Sequence, residues 1–131
     1  MIKTSYIYGI KVTGEQLSYS KLYSKGFLEY VDYMRDIVEA YYNTEEEMID
    51  SLWADYLEDE LCSELFQLEE SDDFSNNVYI IGRPYRFSSI GIEDILLIHR
   101  LAASSIDRTY FDLIGKQPSE TMFKLYPYDY C

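Results

Sequence analysis

Carboxylates are the one reactive group this chain supplies in quantity, and they are unevenly spread. Between Arg35 and Arg83 there is no Lys, Arg or His, yet fifteen of the 24 acidic residues fall there. They are Asp36, Glu39 and a run of thirteen: Glu45, Glu46, Glu47, Asp50, Asp55, Glu58, Asp59, Glu60, Glu64, Glu69, Glu70, Asp72 and Asp73. The remaining nine acids face eleven bases, among them Lys21 and Lys25, so this block accounts for all of the net charge of −13. Carboxylates so placed have three chemical uses: acid–base catalysis, cation binding, and pairing with the basic groups of a partner.

The first two uses find little support. Paired carboxylates are so frequent here that no pair is singled out for proton transfer. His99 is the only histidine, it has apolar neighbours, and no Gly-x-Ser-x-Gly turn accompanies it. The glycines are scattered and form no phosphate loop. Asp72-Asp73-Phe74-Ser75-Asn76-Asn77 is rich in oxygen ligands. A calcium loop starting at Asp72 needs Gly at its sixth position and Glu at its twelfth; the chain has Asn77 and Arg83. Cys62, Cys131 and one histidine cannot make the usual four-ligand zinc site, nor do two cysteines suggest a secreted disulfide framework. No catalytic residue, metal or cofactor is expected.

The third use fits better. Solvated helix faces usually mix charges of both signs at i,i+4, whereas here like charges repel with no base inside the block to relieve them. Residues 45–73, if helical at about 1.5 Å each, span about 43 Å and carry about one carboxylate per 3.3 Å. Phosphates along one strand of duplex DNA recur every ~3.4 Å. Glu46, Glu47, Asp50, Asp55, Glu58, Asp59, Glu60, Glu64, Glu69, Glu70, Asp72 and Asp73 are therefore the expected partner-binding residues. Tyr41, Tyr42 and Tyr56 beside them would add rigid contact area.

The elements that must carry these residues are legible in part. Tyr6–Val12 reads as a strand, stopped near Gly14, and 15–26 as a loop or a frayed short helix. From Phe27 to Tyr42 the period becomes 3.6, with Phe27, Tyr30, Val31, Met34, Ile37, Val38 and Tyr41 on the apolar stripe. Asn43 is placed to end that helix in the left-handed region. Thr44-Glu45-Glu46-Glu47 forms a capping box for a second, acidic helix running from Glu45 towards Leu68. Its ladder of Ile49, Trp53, Leu57, Leu61 and Leu65 drifts by about 40° per step, so either a partner follows the winding or the helix breaks near Glu58–Glu60. Residues 69–77 read as a loop and Val78–Gly82 as a strand interrupted by Pro84, with 85–87 resuming as a strand or an edge continuation. Ile92–Leu101 fits a helix better than a buried strand. Ser105 is placed to cap a short helix closed by Gly115, and 121–125 forms a short strand before an aromatic tail, 126–130.

This pattern predicts one domain, 1–131, of the α+β class. A small antiparallel sheet packs with two consecutive helices, the second long and acidic, and with a further C-terminal helical segment. The hydrophobic fraction of 47%, with 15 Tyr, is that of a folded domain and excludes a disordered acidic tail. The start of the chain has no signal-peptide pattern and no apolar run spans a bilayer, so a cytoplasmic protein without membrane contact is expected. The net charge argues against direct nucleic-acid binding and for a basic partner.

A small, acidic, tyrosine-rich domain without catalytic motifs resembles phage-encoded anti-defence proteins, the anti-CRISPR and anti-restriction inhibitors that imitate nucleic acid. The resemblance is one of general character over the whole chain. It implies a partner such as a CRISPR effector or restriction enzyme, whose basic channel the inhibitor fills, in the cytoplasm of the host cell. An immunity protein or antitoxin covering a nuclease active site would use the same electrostatics. A phage assembly component and a small hydrolase using Asp or Glu with His99 are the alternatives of other classes.

Overall fold

The computed structural model describes residues 4–87 and 91–128. Cys131, the end of the aromatic tail at Asp129 and Tyr130, and Met1–Lys3 lie outside the described residues. Four strands, β1 (Thr4–Thr13), β2 (Leu65–Glu69), β3 (Val78–Phe87) and β4 (Lys124–Pro127), form an antiparallel sheet in the order β2-β3-β1-β4. Between β1 and β2 run two short helices, α1 (Gly14–Ser18) and α2 (Ser20–Tyr23), then α3 (Lys25–Val38) and α4 (Glu45–Asp55). A long helix, α5 (Ile92–Ile114), precedes β4 and ends at Gly115, whose φ of 87° is the left-handed cap that favours glycine. The α+β class and its antiparallel sheet are as the sequence predicts.

Alternation along the strands sorts the sheet into two faces. Tyr8, Ile10, Val12, Leu65 and Ile81 face the helices and join Leu17, Phe27, Leu52, Ile106 and Leu113 in one core. Ile7 and Ile80 belong to the other face yet are fully buried. The sheet curls to cover them. Phe66 of β2 and Tyr128, just beyond β4, have ring centroids 5.9 Å apart although their strands are opposite edges. In a flat sheet three strand spacings of about 4.8 Å would separate them. Gly9 and Gly82, directly opposed in register, permit the bend, since a Cβ on Gly9 would collide with the carbonyl oxygen of Ile81.

Pro84 does not interrupt β3. The Gly82 N–H donates to the Glu64 carbonyl on the β2 side (2.9 Å), so Pro84, two residues on, turns its missing N–H the same way. Pairing with β2 reaches only from Val78 to Ile81, so no ladder bond is lost there.

The helices show larger departures. The segment 15–26 is helical, and α3 begins at Lys25 because Asp112 of α5 covers its exposed amides. The Asp112 carboxylate accepts from Lys25 N–H (2.9 Å), Gly26 N–H (3.3 Å) and the Ser24 hydroxyl (2.6 Å), while Ser24 Oγ accepts from Phe27 N–H (3.1 Å). A carboxylate at the positive end of α3 ties two distant segments together. Ile37 and Tyr41, expected on the buried stripe, are 56% and 82% exposed; on α3 only Phe27 and Val31 are fully buried, with Tyr30, Met34 and Val38 partly so. No non-glycine residue has positive φ among the described residues, so Asn43 ends nothing by a left-handed turn.

Thr44 caps α4 as expected, its hydroxyl accepting from Glu47 N–H (3.1 Å). The Glu47 carboxylate reaches back one residue further than a standard box, to Asn43 N–H (3.3 Å). The predicted helix to Leu68 is not formed. The chain passes into a π-helical turn, Tyr56–Glu60, closed by Leu61 N–H donating to the Tyr56 carbonyl (3.1 Å), and 65–69 becomes β2. The wider winding takes up more residues per turn, and Tyr56, Leu57 and Leu61, which bracket it, are all buried. The two predicted segments 92–101 and 105–113 are one helix. Ser105 is not a cap; its hydroxyl accepts from Arg83 Nε (3.1 Å) and Nη2 (2.7 Å).

Candidate partner-binding surface

The fold breaks the acidic block into pieces, so no 43 Å acidic rod exists. Helix α4 has 11 residues, about 16 Å of rise, and the acids beyond it stand on the π-helical turn, on β2 and on the loop 70–73. The match to phosphate spacing along one helix is therefore lost. What remains is an irregular acidic ridge.

Within it the carboxylates divide by what they do. Glu45 pairs with Arg35 (2.6 Å) and Asp50 with Lys21 (3.0 Å), so tertiary folding supplies two bases that the block itself lacks. Glu47 serves the cap of α4, and Asp73 accepts from Ser75 N–H (3.0 Å) to cap the turn Phe74–Asn76. Glu64 is half-buried and lines a cleft of about 230 Å³ with Arg83, Arg108, Ser105 and Asp112. Eight carboxylates, on Glu46, Asp55, Glu58, Asp59, Glu60, Glu69, Glu70 and Asp72, are exposed and hold neither ion pair nor hydrogen bond among the described residues.

The tyrosines divide in the same way. Tyr41 is on the surface. Tyr42 is half-buried, its hydroxyl bonded to Ser51 Oγ across to α4 (2.8 Å). Tyr56 offers no contact area, for it is buried between Phe27 and Tyr30 (centroids 5.6 and 5.4 Å). Burial, then the charges of Asp112, Glu64 and Glu60, push the Tyr56 phenol up to about 12. Tyr30 is raised by burial and by Asp55, Glu60 and Asp59, which places its hydroxyl within the field of those carboxylates. Sequence reasoning missed Tyr33 and Ile37 as surface, while Tyr30 packs partly buried against the core as its place on the stripe predicts. Tyr33 and Ile37, one turn apart, leave an apolar-aromatic strip exposed on α3.

A pH dependence follows with a definite sign. The folded state holds the Tyr56 proton more tightly than an unfolded chain with pKa near 10. Its contribution to stability is intact below about pH 10 and is lost as pH rises towards about 12. Alkaline unfolding coincident with a late rise of tyrosinate absorbance is the expected observation. The Tyr56→Phe variant should move the transition to higher pH.

The acidic ridge flanks a groove of about 470 Å³ between the π-helical turn and β2, with Glu58 and Glu70 on its lining and no Lys, Arg or His there. His99 is elsewhere. Its Nδ1 bonds the Tyr8 hydroxyl and its ring packs edge-on against Phe123 (4.9 Å), a packing role between β1 and α5. Among the described residues no group of three or more His, Cys, Asp or Glu is placed to hold a metal ion, and no helix is long and apolar enough to cross a membrane. No family model, curated protein or solved structure matches this chain.

Proposed function

We propose that this chain is a non-enzymatic inhibitor that occupies the basic nucleic-acid-binding surface of another protein and keeps nucleic acid from it. In the anti-defence setting that its character resembles, the partner is a CRISPR effector or restriction enzyme in the host cytoplasm. The observation that carries the reading is the set of eight exposed carboxylates without internal partners. Like charges left facing one another weaken a fold slightly, and a cationic surface would relieve them. Such a field also steers a basic partner into contact and repels phosphate, so the isolated protein should not bind DNA or RNA.

In this reading the carboxylates need not follow the regular spacing of a phosphate backbone. Basic grooves recruit negative charge through flexible Lys and Arg side chains, and an irregular ridge satisfies these as readily. The test is competition. Labelled nucleic acid is bound to the partner, and this protein is titrated in at several salt concentrations. Displacement that weakens steeply with salt supports the reading; flat salt dependence overturns it.

A further inference from the structure

We propose that the outer edge of β2 accepts an extended, Lys- or Arg-bearing segment of the partner protein as an added strand. This deepens the function proposed above and rests on its premise of a basic partner.

β2 is an edge of the sheet, and among the described residues no strand covers its outer side. The Gly82 N–H···O bond to Glu64 fixes which backbone groups point where. Glu64 and Phe66 turn towards β3, so Leu65 and Gln67 turn outwards. The Leu65 N–H is spent on the Leu61 carbonyl (2.8 Å), while the register turns the Leu65 carbonyl and both backbone groups of Gln67 away from β3, towards the open side. Exposed edges are usually blunted by lysines, proline or a covering segment. This one has a register irregularity between Gln67 and Glu69 but no lysine and no proline.

A groove runs alongside that edge. Leu57 and Ala54 form its helical wall, and Phe66 and Phe74 add apolar surface for alternate side chains of an extended chain. Glu58 and Glu70 lie in the lining, with Asp59 and Glu60 on the same turn as Glu58, and Glu69 and Asp72 within two residues of Glu70 in sequence. Main-chain bonds to the edge with pockets for every second residue is the strand-addition mode of peptide recognition. The charge selects the occupant. A second copy would bring its own Glu69 and the adjoining Glu70 against this groove, and each chain carries −13. A nucleic acid would bring phosphates. A segment alternating apolar and basic residues fits both the apolar walls and the acids.

The probe is a short fluorescent peptide of alternating Lys and Val, compared with a twin in which every backbone amide is N-methylated. The twin keeps charge and side chains but cannot pair with a strand edge. Binding is read by anisotropy, and location by the alkylation rate of the exposed Cys62, which lines the groove, in a Cys131→Ser background. The expected result is binding of the unmethylated peptide on the order of tenfold tighter than its twin, with Cys62 protected. Gln67→Pro removes an N–H that the register turns away from β3 and should reduce the unmethylated peptide to the level of the twin. Glu58→Gln with Glu70→Gln should weaken both peptides alike and serves where the proline variant fails to fold.

Equal binding of the two peptides without protection of Cys62 overturns strand addition and leaves the reading of a charge-driven inhibitor standing. Binding of neither peptide, with salt-sensitive displacement of nucleic acid intact, does the same. Concentration-dependent self-association abolished by Gln67→Pro would assign the edge to a second copy and also overturns the proposal. Flat displacement of nucleic acid sinks the underlying function, whatever the peptides do.

Discussion

The Trp53→Ala variant is expected to lose about 3–5 kcal/mol of stability, the usual range for truncating a buried tryptophan. Trp53 is only 8% exposed and its ring stands edge-on to Phe74, 5.0 Å between centroids. Its indole N–H donates to the hydroxyl of Ser20 (2.9 Å), a residue with no exposed surface. Truncation opens a cavity and also leaves that hydroxyl without its donor. The Lys21 ammonium, 5.0 Å over the ring while paired with Asp50, loses its aromatic support. Against a total stability of about 5–15 kcal/mol that is a large fraction, and the midpoint of a chemical denaturation series should fall accordingly. Trp53→Phe separates the terms. It keeps most of the packing, forfeits the hydrogen bond and leaves the buried Ser20 hydroxyl unpaired, at about 1–3 kcal/mol. An alanine variant that melts with the parent would show that α4 is not anchored to α2 through this residue.

The second large effect concerns the ridge. Replacing Asp55, Glu58, Asp59 and Glu60 together by Lys should slow association with the partner on the order of 100-fold or more at low salt. The reason is a change of sign in the steering field, added to direct repulsion inside the basic groove. Replacing the same four by Asn or Gln should have a smaller effect, and high salt should bring the parent towards the neutral variant. Among the described residues none of the four holds an ion pair or side-chain hydrogen bond, so neither set should lower the melting temperature, and the neutral set is expected to raise it slightly. Association rates measured at two ionic strengths decide the matter. Unchanged rates in the lysine variant would remove these residues from the contact and direct attention to the exposed strip of Tyr33, Ile37 and Tyr41.

Much of this architecture is legible in the sequence wherever the signal is local. The capping box at Thr44, the strand at Tyr6–Val12 and the stripe of Phe27 and Val31 depend on near neighbours. β2 is illegible for an instructive reason. Leu57, Leu61 and Leu65 continue a helical ladder, while the strand conformation of Leu65–Glu69 is imposed by pairing with Val78–Ile81. The drift of that ladder does signal a break near Glu58–Glu60, which the π-helical turn realises. Ser105 misleads because a hydroxyl suited to capping is used instead as an acceptor for Arg83. Of the candidate surface, the acids are plain in the sequence. Which of them are ion-paired is not, since Lys21 and Arg35, which engage Asp50 and Glu45, are brought near only by folding.

The strand order has a consequence for how the chain reaches this state. β1 is an interior strand, but its partners are distant: Thr13 meets Val78, Thr4 meets Phe87 and Tyr6 meets Pro127. Every rung closes a long loop, at an entropic cost growing as about (3/2)RT ln n, and such topologies fold slowly. Helices α3 and α4 can form locally while an apolar strand, rich in Ile, Val and Tyr, waits unpaired. That is the species most prone to cling to its own kind. The loop that stays open until β1 and β3 meet is the stretch holding the fifteen acids, so mutual repulsion should keep half-folded molecules apart. Refolding yield is expected to fall as added salt screens that repulsion, and a yield indifferent to salt would separate the charge from the folding route.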